Sequence, residues 1–282
     1  MIRPFQQDER FLGDVARGPR GPGDFKLWWL GQSGFLLRYG SECILLDPYL
    51  SDSLSRKYEF TDKPHKRISD RVVSAYDLRG ITLISSSHNH TDHLDKDTIL
   101  PVLEKSPKAE IVVGKANVAF AAERLELPLS RFIPLSVGMT VCLRGLKITA
   151  IPAAHNDLDR DAAGEFLFMG FVIEFGSYCI YHAGDTVHYD GMEHFLKKFK
   201  IDVAMLPING DRPERRVAGN LDGAEAANLG KQIGARLVIP CHYDLFEFNT
   251  VSPDLFEESC RKIGQAYRTL LIGEGISSGE IV

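Results

Sequence analysis

Four times along this 282-residue chain an apolar, β-branched stretch breaks off at a histidine or an aspartate. Ile81-Thr82-Leu83-Ile84 leads into Ser87-His88-Asn89-His90-Thr91-Asp92-His93-Leu94-Asp95, and the stretch from Leu146 to Pro152 runs into His155. Tyr178-Cys179-Ile180-Tyr181 continues through His182 and a glycine turn to Asp185, and Arg236 to Pro240 ends in Cys241-His242. Each stretch reads as a buried strand bounded by a break. A fold made of such strands can deliver side chains from their ends, because a rigid element fixes the position of the residues next to it.

The first of these loops carries the densest chemistry. It holds three of the chain's nine histidines and two aspartates within eight residues. Imidazole and carboxylate are the groups that borderline divalent metals prefer. In an extended segment His88 and His90, two apart, point to one side. His93 follows Asp92 directly, so those two cannot share one direction. The spacing predicts two metals, one held by His88 and His90 and the other by Asp92 and His93. Such a site needs further ligands, and His155, Asp185 and His242 stand at the other strand ends.

With these motifs in place the chain resembles the metallo-β-lactamase superfamily over nearly its whole length. The resemblance implies an α/β fold, an αββα sandwich of two mixed β-sheets packed face to face with helices outside and metals at one edge. It implies a first metal held by His88, His90 and His155, a second by Asp92, His93 and His242, and Asp185 bridging the two. The segments Leu27-Trp28-Trp29-Leu30-Gly31-Gln32-Ser33-Gly34-Phe35, Tyr181-His182-Ala183-Gly184-Asp185 and Val238-Ile239-Pro240-Cys241-His242-Tyr243-Asp244 are similar to the L-ascorbate-6-phosphate lactonase branch. Pro152-Ala153-Ala154-His155 with Arg160 is similar to N-acylphosphatidylethanolamine phospholipase D relatives. The chain is shorter than the lactonase pattern, which bears on the substrate rather than on the metals.

Two cations roughly 3.5 Å apart would share a bridging water and bring its pKa toward neutrality, so a metal-bridging hydroxide serves as nucleophile. Zinc and manganese both suit the N/O ligand set, and iron is compatible with it. The expected activity is hydrolysis of a small anionic, phosphorylated ester or lactone. Two rivals keep the metals: a phosphodiesterase acting on a nucleotide, a nucleic acid or a phospholipid headgroup, and a non-catalytic metal-binding sensor. No G-x-S-x-G elbow offers a serine nucleophile. Asp92 is expected both to ligate and to hold the hydroxide. His182, beside Asp185, is expected as a proton donor to the leaving group, with His188 held open for the same role. Arg160, Asn209 and Arg212 are the expected substrate contacts, since guanidinium forks onto phosphate. His65 and His194 are given no role, and Cys241 is expected in the core.

The net charge of −5 argues against a broad nucleic-acid-binding face. The partner expected is therefore a small anionic molecule. No apolar run approaches the length of a membrane span. Five scattered cysteines with no CxxC pair suggest reduced thiols and a cytoplasmic setting. Residues 1–24, rich in Gly, Pro and Arg, read as an N-terminal arm available for homo-oligomer contacts, and 25–282 as a single hydrolase domain. Strands are expected at 26–30, 34–39 and 43–47, with Trp28 and Trp29 facing opposite ways. Asp47 closes the third strand, where it could orient a ligand histidine. Residues 48–70, with Lys57, Lys63, Lys66 and Arg67, form a loop long enough to cover a site. Helices are expected at 96–103, where Asp95 could cap, at 115–125, 190–198, 222–232 and 252–266, around strands at 111–113 and 202–206 and a β-rich middle over 139–183.

Overall fold

The computed structural model describes residues 1–281. One mixed sheet takes β1 (Phe25–Gly31), β2 (Gly34–Tyr39), β3 (Glu42–Leu46), β4 (Leu83–Ser86), β5 (Glu110–Gly114) and β6 (Phe132–Leu135). The other takes β7 (Thr140–Leu143), β8 (Leu146–Pro152), β9 (Met169–Phe175), β10 (Tyr178–His182), β11 (Val203–Pro207) and β12 (Leu237–Cys241). The last strand, β13 (Gly275–Ser277), returns to the first sheet. The orders are β13-β1-β2-β3-β4-β5-β6 and β12-β11-β10-β9-β8-β7, so the architecture is the expected α/β sandwich of two mixed sheets.

Both sheets begin as antiparallel meanders and finish as parallel runs, and this decides where the ligands go. From β3 to β6 every neighbour is parallel. In the second sheet β8 and β10 each lie antiparallel to β9, while β10, β11 and β12 are mutually parallel. Strands β8, β10, β11 and β12 therefore run one way, and their C-terminal ends share one edge. Crevices beyond the carboxyl ends of such strands are where open α/β sheets bind ligands. The turn between β1 and β2 reaches the same edge as the end of β3, because Phe35 pairs with Leu46.

Among the described residues seven α-helices accompany the sheets: α1 (Asp8–Arg17), α2 (Ser53–Lys57), α3 (Lys96–Lys105), α4 (Val118–Leu125), α5 (Met192–Leu196), α6 (Gly223–Gln232) and α7 (Asp254–Ile263). The start of α6 is fixed by a reciprocal pair, Glu225 N–H to Asp222 Oδ1 and Asp222 N–H to Glu225 Oε2. At α3, Asp95 occupies the capping position, but its carboxylate bonds no backbone N–H there. It accepts instead from the hydroxyls of Ser53 and Thr98, tying the 48–70 segment to this helix.

The expected arm is a structured element. Residues 8–17 form a helix whose Phe11 and Val15 are buried. Trp28 and Trp29 are both buried as well, so the outward indole is covered rather than exposed. Phe11 meets Trp28 edge-on at 6.4 Å, and Trp28 Nε1 donates to Asp14 Oδ2 at 2.7 Å. Trp29 packs at 4.7 Å from Tyr243. An outward tryptophan in β1 needs an apolar partner, and α1 supplies it.

Candidate metal centre

All seven residues expected as ligands meet at the shared edge. One group comprises His88, His90, His155 and Asp185, and the other Asp92, His93 and His242, with the ligand atoms of each group within 4.8 Å of one another. Asp185 stands between the groups. Its Oδ2 lies 3.6 Å from His155 Nε2, 3.3 Å from His93 Nε2 and 3.2 Å from His242 Nε2. The imidazoles of His88 and His90 are 4.6 Å apart, and those of His90 and His155 are 5.0 Å apart. Four of these side chains sit just beyond the ends of β4, β8, β10 and β12.

In three of the five histidines of the cluster, His88, His93 and His155, the inward nitrogen is set by what the opposite nitrogen does. His93 Nδ1 donates to Asp47 Oδ2 at 2.6 Å, and His155 Nδ1 donates to Gly219 O at 2.8 Å. Ser87 Oγ lies 3.0 Å from His88 Nδ1 and also donates to the Asp47 carboxylate. Asp47, fully buried at the end of β3, thus holds both the loop backbone, through Ser87 N–H at 2.8 Å, and a ligand imidazole. The resulting inward atoms, His88 Nε2 and His93 Nε2, are buried without any hydrogen-bond partner. An orphaned buried nitrogen costs about 1–3 kcal/mol, and a cation removes that cost by taking the lone pair. The donor set therefore fits divalent metal.

Electrostatics agree at three of the ligand histidines. Burial, aided by repulsion from neighbouring histidines, pulls His88 well below its ordinary value, and it brings His90 down to about 4. Burial also lowers His155. These three imidazoles are thus neutral at pH 7, the form that ligates. At His93 burial is outweighed by Asp185, Asp92 and Asp47, which raise it well above the usual range. Burial would raise Asp92 and Asp185, but the surrounding histidines hold both carboxyls low.

Backbone strain collects at the same place. Gln32, Asp47 and His242 all adopt positive φ (52°, 41° and 64°), which non-glycine residues hold only when their surroundings enforce it. Gly184 sits at φ 63°, and a Cβ there would lie 2.7 Å from Ser87 Cβ and 2.9 Å from Met169 O. Only glycine lets the turn before Asp185 press this closely on the metal loop.

A cavity of about 490 Å³ opens over the cluster. His90, Asp92, His155, Asp185 and His242 form its floor, and Lys57, Lys63, His65, Arg124 and Arg216 line it together with Tyr58, Phe120, Phe246 and Phe248. The 48–70 segment supplies one wall. It is laced to the stretch after His242 by Ile68 N–H to Leu245 O (2.8 Å) and Glu247 N–H to Lys66 O (3.0 Å).

The other expected site residues fall elsewhere. His182 is fully buried, donates through Nε2 to Ser33 O at 2.8 Å and packs edge-on to Phe35, outside the cavity lining. That makes it a bonded core histidine with no route to a leaving group. His188 pairs with Glu193 at the surface. Arg160 lies over Phe166 and donates to Gly164 O, and Arg212 lines a separate depression. Asn209 is buried, donating to Asn249 Oδ1 and accepting from Asn220. None of the three lines the cavity over the cluster. Cys241 is buried next to His242 and is not among the grouped ligands.

Several residues of the site escaped the sequence. His65 stacks on Tyr58 at 4.2 Å and meets Phe248 edge-on at 4.6 Å. Phe168 packs against His88 (5.3 Å) and His155 (5.4 Å). Arg124 donates to Asn89 O at 2.6 Å, bracing the metal loop from α4. No pattern in the chain ties these positions to the site, since each reaches it only through tertiary packing.

Comparison with known proteins accords with this geometry. Residues 42–243 match the Beta-lactamase superfamily domain, and the chain belongs to that superfamily. Within it, the chain is 30% identical over 248 residues to a UPF0173 metal-dependent hydrolase of Rubrobacter xylanophilus, spanning 86% of this chain and 91% of the relative. It is accordingly a metal-dependent hydrolase of that kind. The fold is shared with Igni18, a metallo hydrolase from Ignicoccus hospitalis (TM-score 0.66, 22% identity, 90% of this chain and 98% of the other). It is shared too with an isothiocyanate hydrolase from Delia radicum gut bacteria (TM-score 0.72, 19% identity, 89% and 98%).

Proposed function

We propose that this hydrolase acts on a small anionic substrate, a phosphorylated ester or lactone of the kind cleaved by L-ascorbate-6-phosphate lactonase, with two divalent ions at the cluster. The carrying observation is the charge of the cavity. Four cationic side chains, Lys57, Lys63, Arg124 and Arg216, line it against two carboxylates, Asp92 and Asp185, and both carboxylates belong to the cluster. With metal neutralising those carboxylates, the cavity is positive and attracts an anion.

In this reading His88, His90 and His155 would hold one ion and Asp92, His93 and His242 the other, with Asp185 within reach of both groups. Zinc or manganese bound there would supply Lewis acidity and a water acidified toward neutrality. The protein's own contribution is placement. Lys57, Lys63 and Arg216, the last now paired with the exposed Asp62 at 2.7 Å, are the side chains that would hold the phosphate. Arg124 keeps the metal loop rigid through Asn89 O and Leu94 O. Asp92, on the cavity floor, accepts a hydrogen bond from Gln32 and is the residue placed to orient a water. The aromatic wall of Tyr58, Phe246 and Phe248 excludes solvent beside it.

The test is hydrolysis by protein reconstituted separately with zinc and manganese, offered a phosphorylated sugar lactone and a chromogenic phosphodiester side by side, with His90→Ala as control. Lactone turnover that is lost in His90→Ala and whose KM rises at least 10-fold in Lys57→Ala/Arg216→Ala is the expected result. Diester turnover alone reassigns the chain to the phosphodiesterases. Turnover of neither substrate by protein holding both ions defeats the reading.

A further inference from the structure

Gln32, in the turn between β1 and β2, sets one side-chain nitrogen between two of the seven candidate ligands. Its Nε2 donates to Asp92 Oδ2 at 2.8 Å and lies 3.1 Å from His242 Nε2. Its carbonyl oxygen Oε1 is buried and has no partner. The backbone is committed to the same task, because Gln32 O accepts from His242 N–H at 2.9 Å and from Trp29 Nε1 at 2.9 Å. The residue is 1% exposed and sits at φ 52°, so a strained conformation is maintained to bring this carboxamide under the cluster.

We propose that Gln32 is a positioning residue of the Asp92–His93–His242 half-site, whose carboxamide holds Asp92 and His242 in register for a divalent ion and supplies a further oxygen to it. The inference rests on the two-ion reading above. Without a cation, Asp92 Oδ2 and, in the tautomer protonated at Nδ1, His242 Nε2 are two acceptors facing one space, and the NH₂ of Gln32 satisfies both. Beside a cation in that space the NH₂ would be unfavourable and Oε1 favourable. Half a turn of the terminal carboxamide exchanges nitrogen for oxygen without moving the rest of the side chain. Oε1 would then gain a partner while the NH₂ took over its buried position, and the half-site would offer one carboxylate, two imidazoles and one neutral oxygen.

The experiment is a stepwise Mn(II) titration of metal-free protein by calorimetry, with metal content after gel filtration, for wild type, Gln32→Ala, Gln32→Asn and Gln32→Glu. Thermal melts of the metal-free proteins accompany it. Wild type is expected to take two ions. Gln32→Ala should take the first with unchanged affinity and bind the second at least 10-fold more weakly, while Gln32→Glu recovers tight binding of both. Should Gln32→Ala fail to fold, Gln32→Asn makes the same comparison, because its shorter side chain withdraws the carboxamide from Asp92 while keeping its chemistry. Two ions bound by wild type and, with both affinities unchanged, by Gln32→Ala (or by Gln32→Asn in its place) overturn the role of Gln32 alone. A wild type that takes only one ion overturns the two-ion reading, and this inference with it.

Discussion

At the scale of single residues, the site depends on Asp185 and Asp47 in different ways. Asp185 Oδ2 is within 3.6 Å of inward nitrogens from both ligand groups, so no other side chain replaces it. Asp185→Ala should lose most bound metal and all hydrolysis, read by metal analysis of the purified variant; full occupancy would break the ligand assignment. Asp47 reaches the candidate ligand cluster only through His93 and Ser87. Substitutions of such outer partners typically cost 10–100-fold in metal affinity, so Asp47→Asn should bind metal about 10–100-fold more weakly while remaining folded. Gly184→Ala should be worse for stability than either, because the added Cβ meets Ser87 and Met169 backbone at a positive φ; a melting temperature within a degree of wild type would contradict that. The seven candidate ligands are legible in the sequence because their side chains carry the chemistry and their spacing marks strand ends. Gln32 and His65 are not, since nothing in a glutamine or a lone histidine says which distant carboxylate or ring it will meet. His182 misleads for the converse reason. Its neighbour Asp185 turns into the site, while His182, still in β10, points into the core against Phe35.

At the scale of elements, β1, β2, β3, β5 and β11 are legible to within a residue, because apolar runs bounded by glycine leave little choice, whereas β6 is not expected from the sequence and β7 and β9 lie in an undivided β-rich middle. The N-terminal helix is not legible. Its short apolar face is only Phe11 and Val15, and its reason to fold lies in Trp28, seventeen residues beyond Phe11 in the chain. Asp14 secures the contact, accepting from Trp28 Nε1 (2.7 Å), Lys26 Nζ (2.8 Å) and Gln6 Nε2 (3.0 Å). Burial would raise the Asp14 carboxyl, but these hydrogen bonds outweigh it and hold it below its ordinary 3.8. A carboxylate depressed on folding stabilises the native state above its unfolded pKa, and that contribution is lost as the pH falls through the folded value. Asp14→Asn should cost about 1–2 kcal/mol by urea unfolding at pH 7, a hydrogen-bonded charge that is partly solvent-screened. The gap between wild type and variant should persist to about pH 5 and close below 3.8. A gap that widens on acidification would contradict the sign. The 48–70 segment walls the cavity as its length suggests, but the cations that face the site are Lys57 and Lys63. Lys66 instead pairs with Glu247, and Arg67 with Asp52.

For the whole molecule, the arrangement of strand directions explains why residues from 88 to 242 can form one centre. Parallel finishing runs in both sheets gather their C-terminal ends, and the β1–β2 turn arrives there by the register of β2 on β3. That topology depends on strand order, which a single sequence does not print, and it is readable only through the resemblance carried by the ligand motifs. The same edge carries the metal donors, the strained backbone and the basic cavity, so fold, metal binding and proposed chemistry share one location. The most direct check is an anomalous-difference map from crystals grown with manganese or zinc. Two peaks are predicted, one among His88, His90 and His155 and one among Asp92, His93 and His242, with Asp185 in contact with both. A single peak, or ions bound away from this edge, would contradict the account.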